Sequence, residues 1–252
     1  GLDACADILP DCLPDGVRQA HQLCRVNYAY ENIHFPESPE ALDIARRRLA
    51  FEELFFFAIG LKLLRSRRET VDVVPFQNVD MAPFYRSLPF TLTDAQRRCV
   101  EEAIGDMCSG KPMNRLCQGD VGSGKTMVAA ACVYFCVKNG RQAALMAPTE
   151  LLAEQHYRGL APLLEKLNIR CALLTGSTPA RTRRSVTAQL ASGEIDFAIG
   201  THALISDSVA YADLGLVVTD EQHRFGVAQR TALAEKGSHP HTLVMSATPI
   251  PR

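Results

Sequence analysis

From Phe90 onward, short apolar runs alternate with amphipathic stretches whose apolar residues recur at helical spacing. The short runs have the length of buried strands, and the amphipathic stretches are long enough for helices. The predicted strands are 115–118, 142–147, 171–174, 197–200, 216–219 and 243–246, and the predicted helices lie near 93–108, 125–138, 150–167 and 178–191. This alternation predicts an α/β fold with a parallel sheet that is buried on both faces and flanked by helices.

The first 89 residues follow a different pattern. Four prolines interrupt residues 1–39, where we expect two short helical stretches, the clearer one at 15–24. From Glu40 to about Arg68, apolar residues recur every two to four positions, which predicts one long amphipathic helix. Three further prolines then predict a loop over 70–89 without a continuous helix. We therefore predict two domains, a mainly helical 1–89 and an α/β domain 90–252.

Composition narrows the classes of protein that fit. Lys and Arg number 27 against 28 Asp and Glu, so overall charge does not drive nucleic-acid binding and any DNA contact must be local. The longest apolar run, 54–64, is too short to span a bilayer, and the start of the chain does not resemble a signal peptide. The nine cysteines lack the Cys-x-x-Cys spacing of zinc sites. We interpret them as small buried hydrophobic residues without disulfides, which favours a reducing compartment. We expect a cytoplasmic protein without membrane contact.

The strongest chemical signal lies between the first predicted strand of the sheet and the next helix. It fits the pattern Gly-x-x-x-x-Gly-Lys-Ser/Thr of a phosphate-binding loop, and its residues are Gly119, Asp120, Val121, Gly122, Ser123, Gly124, Lys125 and Thr126. The glycines let backbone N–H groups wrap a triphosphate. Lys125 would neutralise the β and γ phosphates, and Thr126 would bind Mg²⁺ through its hydroxyl. The bland alternative is a tight strand-to-helix turn that binds no phosphate.

A second signal is the apolar strand that ends in Asp220 and Glu221. A buried strand would hold its tip rigid, so Asp220 is placed to hold the water shell of Mg²⁺. Glu221 could accept a proton from the water that attacks the γ-phosphate. Taken alone, such an acidic pair is more often the start of a solvated loop. Its position downstream of a phosphate loop in the same sheet favours the catalytic interpretation.

Other polar residues follow neighbouring strands. Ser246, Ala247 and Thr248 could sense whether His223 and the γ-phosphate are in place, because the carboxyl ends of parallel strands share one edge. Gln96 could pair with adenine, or it could be an ordinary surface glutamine after a Thr93 cap.

Two further strand ends carry groups suited to phosphodiester contacts that read no bases. These are Pro148, Thr149, Gly200, Thr201 and His202. Thr149 could equally cap the helix that follows it. We interpret the arginine clusters at 46–48, 65–68 and 181–184 as solvated helix faces, and we assign no role to His156 or His241.

Taken in order, these motifs resemble superfamily 2 helicases, and most closely the bacterial branch-migrating DNA helicases. The segments that carry the resemblance are 88–96, 118–126, 146–156, 200–204, 220–227 and 245–252, with 33–36 and 47–54 in the first domain. The related transcription-repair coupling translocases share much of this pattern, but Gln222-His223 and the ending Pro249-Ile250-Pro251-Arg252 favour the branch-migrating group.

The resemblance implies a RecA-like lobe that uses ATP and Mg²⁺, with Phe90 and Gln96 at the nucleotide and His223 in catalysis. It also implies branched DNA, namely forks and Holliday junctions, as partner in recombination and repair. We expect a second motor lobe and an oligonucleotide-binding wedge domain of the same parent chain to lie outside this sequence. Residues 1–89 would then connect the wedge to the motor.

Two alternatives stay open at this point. The chain could be a nucleotide-gated binding module that docks partners through an exposed apolar stripe on helix 40–68 and unwinds nothing. It could also be an unrelated P-loop kinase or GTPase, although we find neither the base-recognition motif nor the acceptor-site acids of those classes.

Overall fold

The computed structural model describes residues 10–68, 73–220, 233 and 236–247, without the side chains of 65–68. By its contacts the chain divides into two compact units, Gly1–Thr70 and Val71–Arg252. Residues 73–89 lie in the second unit, where Phe76 and Phe84 are buried in the core. The assignment of 1–89 as a connector stays a prediction.

The first unit contains three helices, α1 (Asp15–Ala20), α2 (Val26–His34) and α3 (Pro39–Arg68). The two short helices and the one long helix match the sequence-based prediction. Helix α2 packs against α3, and Ala29 and Ala45 are fully buried. Small side chains allow two helices to approach closely, which explains how the short helix α2 packs against the long helix α3.

Arg48 corrects the prediction that the cluster 46–48 is a solvated face. Its side chain is 0% exposed and forms ion pairs with Asp11, at 2.6 Å, and with Glu52. Its Nε also donates a hydrogen bond to the carbonyl of Cys24 at 3.1 Å. Arg46, by contrast, is 65% exposed. A guanidinium has five donors in a planar fork, so Arg48 can tie three separate segments together.

The second half of α3 keeps several large apolar side chains in solvent. Leu54 is 68% exposed and Leu61 is 43% exposed, while Leu49 is half-buried. Apolar stripes of this size often mark interaction surfaces. The exposure identifies no partner.

The second unit is a six-stranded sheet with helices on both faces. Its helices are α4 (Ala82–Ser87), α5 (Asp94–Met107), α6 (Lys125–Lys138), α7 (Glu150–Glu165) and α8 (Ala180–Ala191), and a 3₁₀ turn spans His202–Ile205. Its strands are β1 (Asn114–Gln118), β2 (Gln142–Met146), β3 (Cys171–Leu174), β4 (Phe197–Gly200), β5 (Leu214–Asp220) and β6 (His241–Ser246). The order across the sheet is β1-β6-β5-β2-β4-β3. Every pairing is parallel, as predicted.

Side chains of the central strands alternate between two separate cores. In β2, Ala143 and Leu145 join the core that contains α5, α6 and α7. Ala144 and Met146 face the opposite core, which contains α8. Because residues of a strand point alternately to its two faces, a sheet covered on both sides needs apolar residues at every position. This explains the continuous apolar runs in the sequence.

One predicted loop contains a helix. Helix α4 lies within the segment 70–89, where three prolines led us to expect none. Pro83 stands in its first turn, where the missing N–H costs nothing because that group has no partner within a helix. The prolines therefore limit the helix to six residues but do not prevent it.

No helix in the described part of the chain combines the length and the apolar character that a membrane crossing requires.

Arg48 generates a stability prediction. We expect Arg48→Leu to lower the free energy of unfolding of the first unit by about 3 kcal/mol, because Asp11 and Glu52 would keep their charges without a partner. The matched control is Arg46→Leu on the same helix, which should cost less than about 0.5 kcal/mol. Urea unfolding followed by circular dichroism measures both. Equal effects of the two substitutions would contradict the role of Arg48.

His241 is the first residue of β6 and is 2% exposed. Its Nδ1 accepts a hydrogen bond from the Met113 N–H at 2.9 Å, which requires the neutral ring. Burial, and secondarily the charge of Arg141, lowers the pKa of His241 to about 4. Between this pKa and the ordinary value of about 6.5, the unfolded chain binds a proton that the folded chain does not bind.

We therefore expect the second unit to lose up to about 3 kcal/mol of stability as the pH falls from about 6.5 to about 4. His241→Gln removes the titrating ring and should flatten this dependence, although the variant is less stable at neutral pH. Urea unfolding at several pH values between 4 and 7 gives the slope for each protein. The same slope in both proteins would rule out His241 as its source.

Candidate functional site

The phosphate-binding loop joins β1 to α6 at the carboxyl edge of the sheet. Gly122 and Gly124 have φ angles of 82° and 80°, in the left-handed region that favours glycine. Gly124 is also the N-cap of α6, and no side chain caps that helix end. The first-turn N–H groups of α6 therefore point at the loop without a side-chain acceptor, which suits an anion.

A side chain at either of two glycines of the loop would displace a neighbouring side chain. A Cβ on Gly119 would lie 2.8 Å from Ser123 Oγ, and a Cβ on Gly124 would lie 2.3 Å from Gln96 Nε2. The ammonium of Lys125 donates to the carbonyls of Gly119 and Asp120 at 2.6 and 2.9 Å. The loop is thus wrapped around a cation at the position that a phosphate-binding lysine needs.

Gln96 sits against this loop. Its side-chain oxygen accepts from the Thr93 N–H at 2.9 Å, and Thr93 Oγ1 accepts from the Gln96 N–H, which forms a complete capping box. Its amide nitrogen donates to the carbonyl of Ser123 at 2.8 Å. Two interpretations of Gln96 were considered, and the structure shows the capping interaction with Thr93. The glutamine also braces the phosphate loop, and its contact with a base stays a prediction.

Phe90, the other residue predicted at the nucleotide, is half exposed. It lines a cavity of about 460 Å³ together with Tyr85, Arg86, Arg97 and other residues between 88 and 92. A cavity with an aromatic face and cationic rims can accept a planar ring system. The segment that holds Phe90 leads directly into the capping box of α5, so the cavity and the phosphate loop belong to one region.

Asp220 ends β5, as predicted, and β5 lies next to β6 in the sheet. The carboxylate contacts a residue to which no role was assigned from the sequence: His156 Nε2 lies 2.7 Å from Asp220 Oδ2. Both side chains are largely shielded, at 12% and 14% exposed. The signal that could have revealed His156 is its position on α7, two turns after Thr149, on the side that faces the sheet.

Ser246 connects the phosphate loop to β6. Its carbonyl accepts the Gly119 N–H at 3.3 Å, and its hydroxyl donates to the carbonyl of Ala247 at 3.2 Å. Because β6 lies between β1 and β5, Ser246 stands between the phosphate loop and the strand that carries Asp220. Glu221, His223 and Thr248 lie outside the described residues.

The residues predicted to meet DNA follow two paired strands. Met146 of β2 pairs with Gly200 of β4. Thr149 is exposed and its hydroxyl accepts the Leu152 N–H at 3.3 Å, so Thr149 does cap α7. Pro148 is half-buried, Gly200 is buried and His202 is exposed.

Thr201 is only 2% exposed, and its hydroxyl has no partner among the residues that the structure describes. The structure thus brings the predicted DNA-contacting residues to one edge, with Thr149 and His202 accessible. Their contact with DNA stays a prediction.

A hydroxyl-rich turn at the end of β3 was also missed. The Ser177 N–H donates to Glu150 Oε1 at 2.9 Å. Hydrogen bonds from Ser177 lower the pKa of Glu150 below its usual range. Arg183 holds the turn from the other side through the carbonyl of Thr175 at 2.7 Å. This turn extends the polar edge beyond Thr149.

The site thus combines a phosphate loop, an acidic strand end and a polar strand edge on one parallel sheet. The sequence profile of the family described as DEAD/DEAH box helicase matches residues 93–252. The chain belongs to the DEAD/DEAH box helicase family. Membership of this family disfavours an unrelated kinase or GTPase. Phosphate binding by the loop stays a prediction.

The names of the relatives that this chain matches agree with the resemblance predicted from the sequence. The chain is 49% identical to the ATP-dependent DNA helicase RecG of Bacillus subtilis (strain 168) over 250 residues, which are 98% of this chain and 37% of that protein. It is 47% identical to the protein of the same name from Thermotoga maritima, over 97% of this chain and 32% of that protein. The chain therefore spans about a third of the length of the curated relatives it matches.

A solved structure of RecG bound to a three-way DNA junction is similar in fold. It matches with a TM-score of 0.84 and 44% identity, over 100% of this chain and 34% of that chain. At 44% identity the two chains are similar in sequence as well as in fold. The predicted resemblance to branch-migrating helicases is confirmed.

The glycine geometry of this helicase site generates a prediction. We expect Gly124→Ala to weaken ATP binding by about 10-fold or more, because a left-handed alanine costs about 1–2 kcal/mol and its Cβ would collide with Gln96. Gly140→Ala is the matched control: Gly140 has a φ of 76°, but open space surrounds its Cβ position. Titration with a fluorescent ATP analogue measures both affinities. Similar affinity in the two variants would contradict the close fit of the loop.

Proposed function

We propose that this chain is the nucleotide-binding lobe of an ATP-driven DNA helicase that remodels branched DNA, namely replication forks and Holliday junctions, in recombination and repair. The observation that carries the proposal is that the phosphate loop, Asp220 and the exposed cap Thr149 all lie at the carboxyl edge of one sheet. The similar solved structure, in which RecG is bound to a three-way DNA junction, supports branched DNA as the substrate class.

In this proposal the phosphate loop binds ATP. The amides of 119–126 and the first turn of α6 would receive the phosphate oxygens, and Lys125 would leave its loop carbonyls to neutralise the β and γ phosphates. Phe90 and the segment around it would accept the base. These groups position the nucleotide and balance its charge, which is most of what catalysis of phosphoryl transfer requires.

Thr126 and Asp220 would hold Mg²⁺. A hydroxyl and a carboxylate are oxygen donors, the class that Mg²⁺ prefers, and both stand at the edge where the phosphates would lie. The bound ion would neutralise charge that develops on the phosphates. Glu221 would orient and deprotonate the attacking water, and His223 with Ser246, Ala247 and Thr248 would couple the state of the nucleotide to DNA.

At the other end of the edge, Pro148, Thr149, Gly200, Thr201 and His202 would contact the DNA backbone without reading bases. The net charge of the chain supports this local mode, since it is −1. Residues 1–89 would connect the lobe to a wedge domain, and a second motor lobe would complete the ATP site. The length of the relatives leaves room for both. We place the helicase in the bacterial cytoplasm.

ATP hydrolysis by the full-length gene product tests the proposal. We expect a three-way junction to stimulate turnover strongly, and Lys125→Ala to lower the stimulated rate by about 10² or more, because the charge on the transferring phosphate would lose its partner. Lys138→Ala is the matched control, since Lys138 ends the helix that Lys125 begins. Turnover without any response to the junction, or equal rates in the two variants, would contradict the proposal.

A further inference from the structure

The sequence analysis assigned no role to His156, yet this side chain contacts the predicted metal ligand. Its Nε2 lies 2.7 Å from Asp220 Oδ2, within a pair whose side chains are 12% and 14% exposed. A hydrogen bond shielded from water holds its partner far more firmly than an exposed one. A residue from another element therefore restrains the carboxylate of Asp220.

That element is α7, whose N-cap is Thr149. Thr149 caps the helix through its hydroxyl, and its carbonyl accepts the Ala153 N–H at 3.0 Å. Seven residues separate Thr149 from His156, which places them about 10 Å apart along the helix. Leu160 and Leu164 anchor the same helix in the core. Thr149 and the residue that contacts Asp220 thus lie on one helix.

We propose that His156 is a positioning residue that fixes the carboxylate of Asp220 and thereby links the metal site to the helix end predicted to meet DNA. By occupying Oδ2, His156 leaves the other carboxylate oxygen to receive the water shell of Mg²⁺. Groups that orient a metal ligand in this way commonly account for 10- to 100-fold in metal affinity. The proposal rests on the proposed function, because it needs both a metal at Asp220 and DNA at Thr149.

Binding of Mn²⁺ in place of Mg²⁺, followed by electron paramagnetic resonance with a non-hydrolysable ATP analogue, tests this in the full-length gene product. We expect His156→Ala to weaken Mn²⁺ binding about 10-fold. His156→Gln, whose amide can still donate to Asp220, should recover most of the loss. Arg158→Ala is the matched control on the same helix, where Arg158 is 79% exposed and pairs with Glu154 on the surface. It should bind Mn²⁺ like the wild type.

Unchanged Mn²⁺ affinity in His156→Ala would overturn the proposal. Equal losses in His156→Ala and His156→Gln would assign His156 a packing role and would overturn it as well. If His156→Ala does not fold, the wild type still provides the test: the imidazole Nε2 proton should shift in its NMR spectrum when Mg²⁺ and the analogue are added. An Nε2 proton that does not respond would contradict the proposal.

The link to DNA has its own measurement. We expect a three-way junction to change the Mn²⁺ affinity of the wild type, and this change to shrink several-fold in His156→Ala. A wild type that binds no Mn²⁺ with the analogue would overturn the proposed function together with this inference. A wild type that binds Mn²⁺ and responds to the junction, with a His156→Ala variant that does the same, would overturn only the inference.

Discussion

The site depends on the parallel pairing of six buried strands. Because every strand runs in the same direction, all the carboxyl ends meet at one edge, and the chain must leave the sheet there in loops. The phosphate loop leaves β1, Ser246 ends β6, Asp220 ends β5 and Thr149 follows β2. The order β1-β6-β5-β2 then arranges these groups in one row. Reversing any one of these strands would move its polar residues to the opposite edge.

The strength of that scaffold comes from its burial. Residues 128–136 of α6 are all buried, so this helix is packed on every side and can hold the phosphate loop at its N-terminus without moving. Buried backbone polar groups need partners, and the parallel ladders supply them on both sides of β6, β5, β2 and β4.

Local patterns in the sequence predicted the strands, helices α5 to α8 and the glycine-rich turn between β1 and α6, because a doubly covered sheet and such a turn leave direct signatures. Contacts between distant segments left none. Arg48 looked like a surface residue because its partner Asp11 lies 37 positions away, and His156 was passed over because Asp220 is 64 positions away. Helix α4 was missed because a proline in a first helical turn resembles a loop signal. Glu221, His223 and Thr248 lie outside the described residues and stay predictions.

Hydrogen exchange measured by mass spectrometry tests most directly whether the nucleotide and the DNA both bind at the carboxyl edge of the sheet. The full-length gene product would be compared alone, with a non-hydrolysable ATP analogue and with a three-way DNA junction. The account predicts that the analogue protects 119–126 and 216–220, and that the junction protects 148–152 and 200–204. Protection by the junction at the amino ends of the strands, near 140–143 and 195–198, would contradict the account.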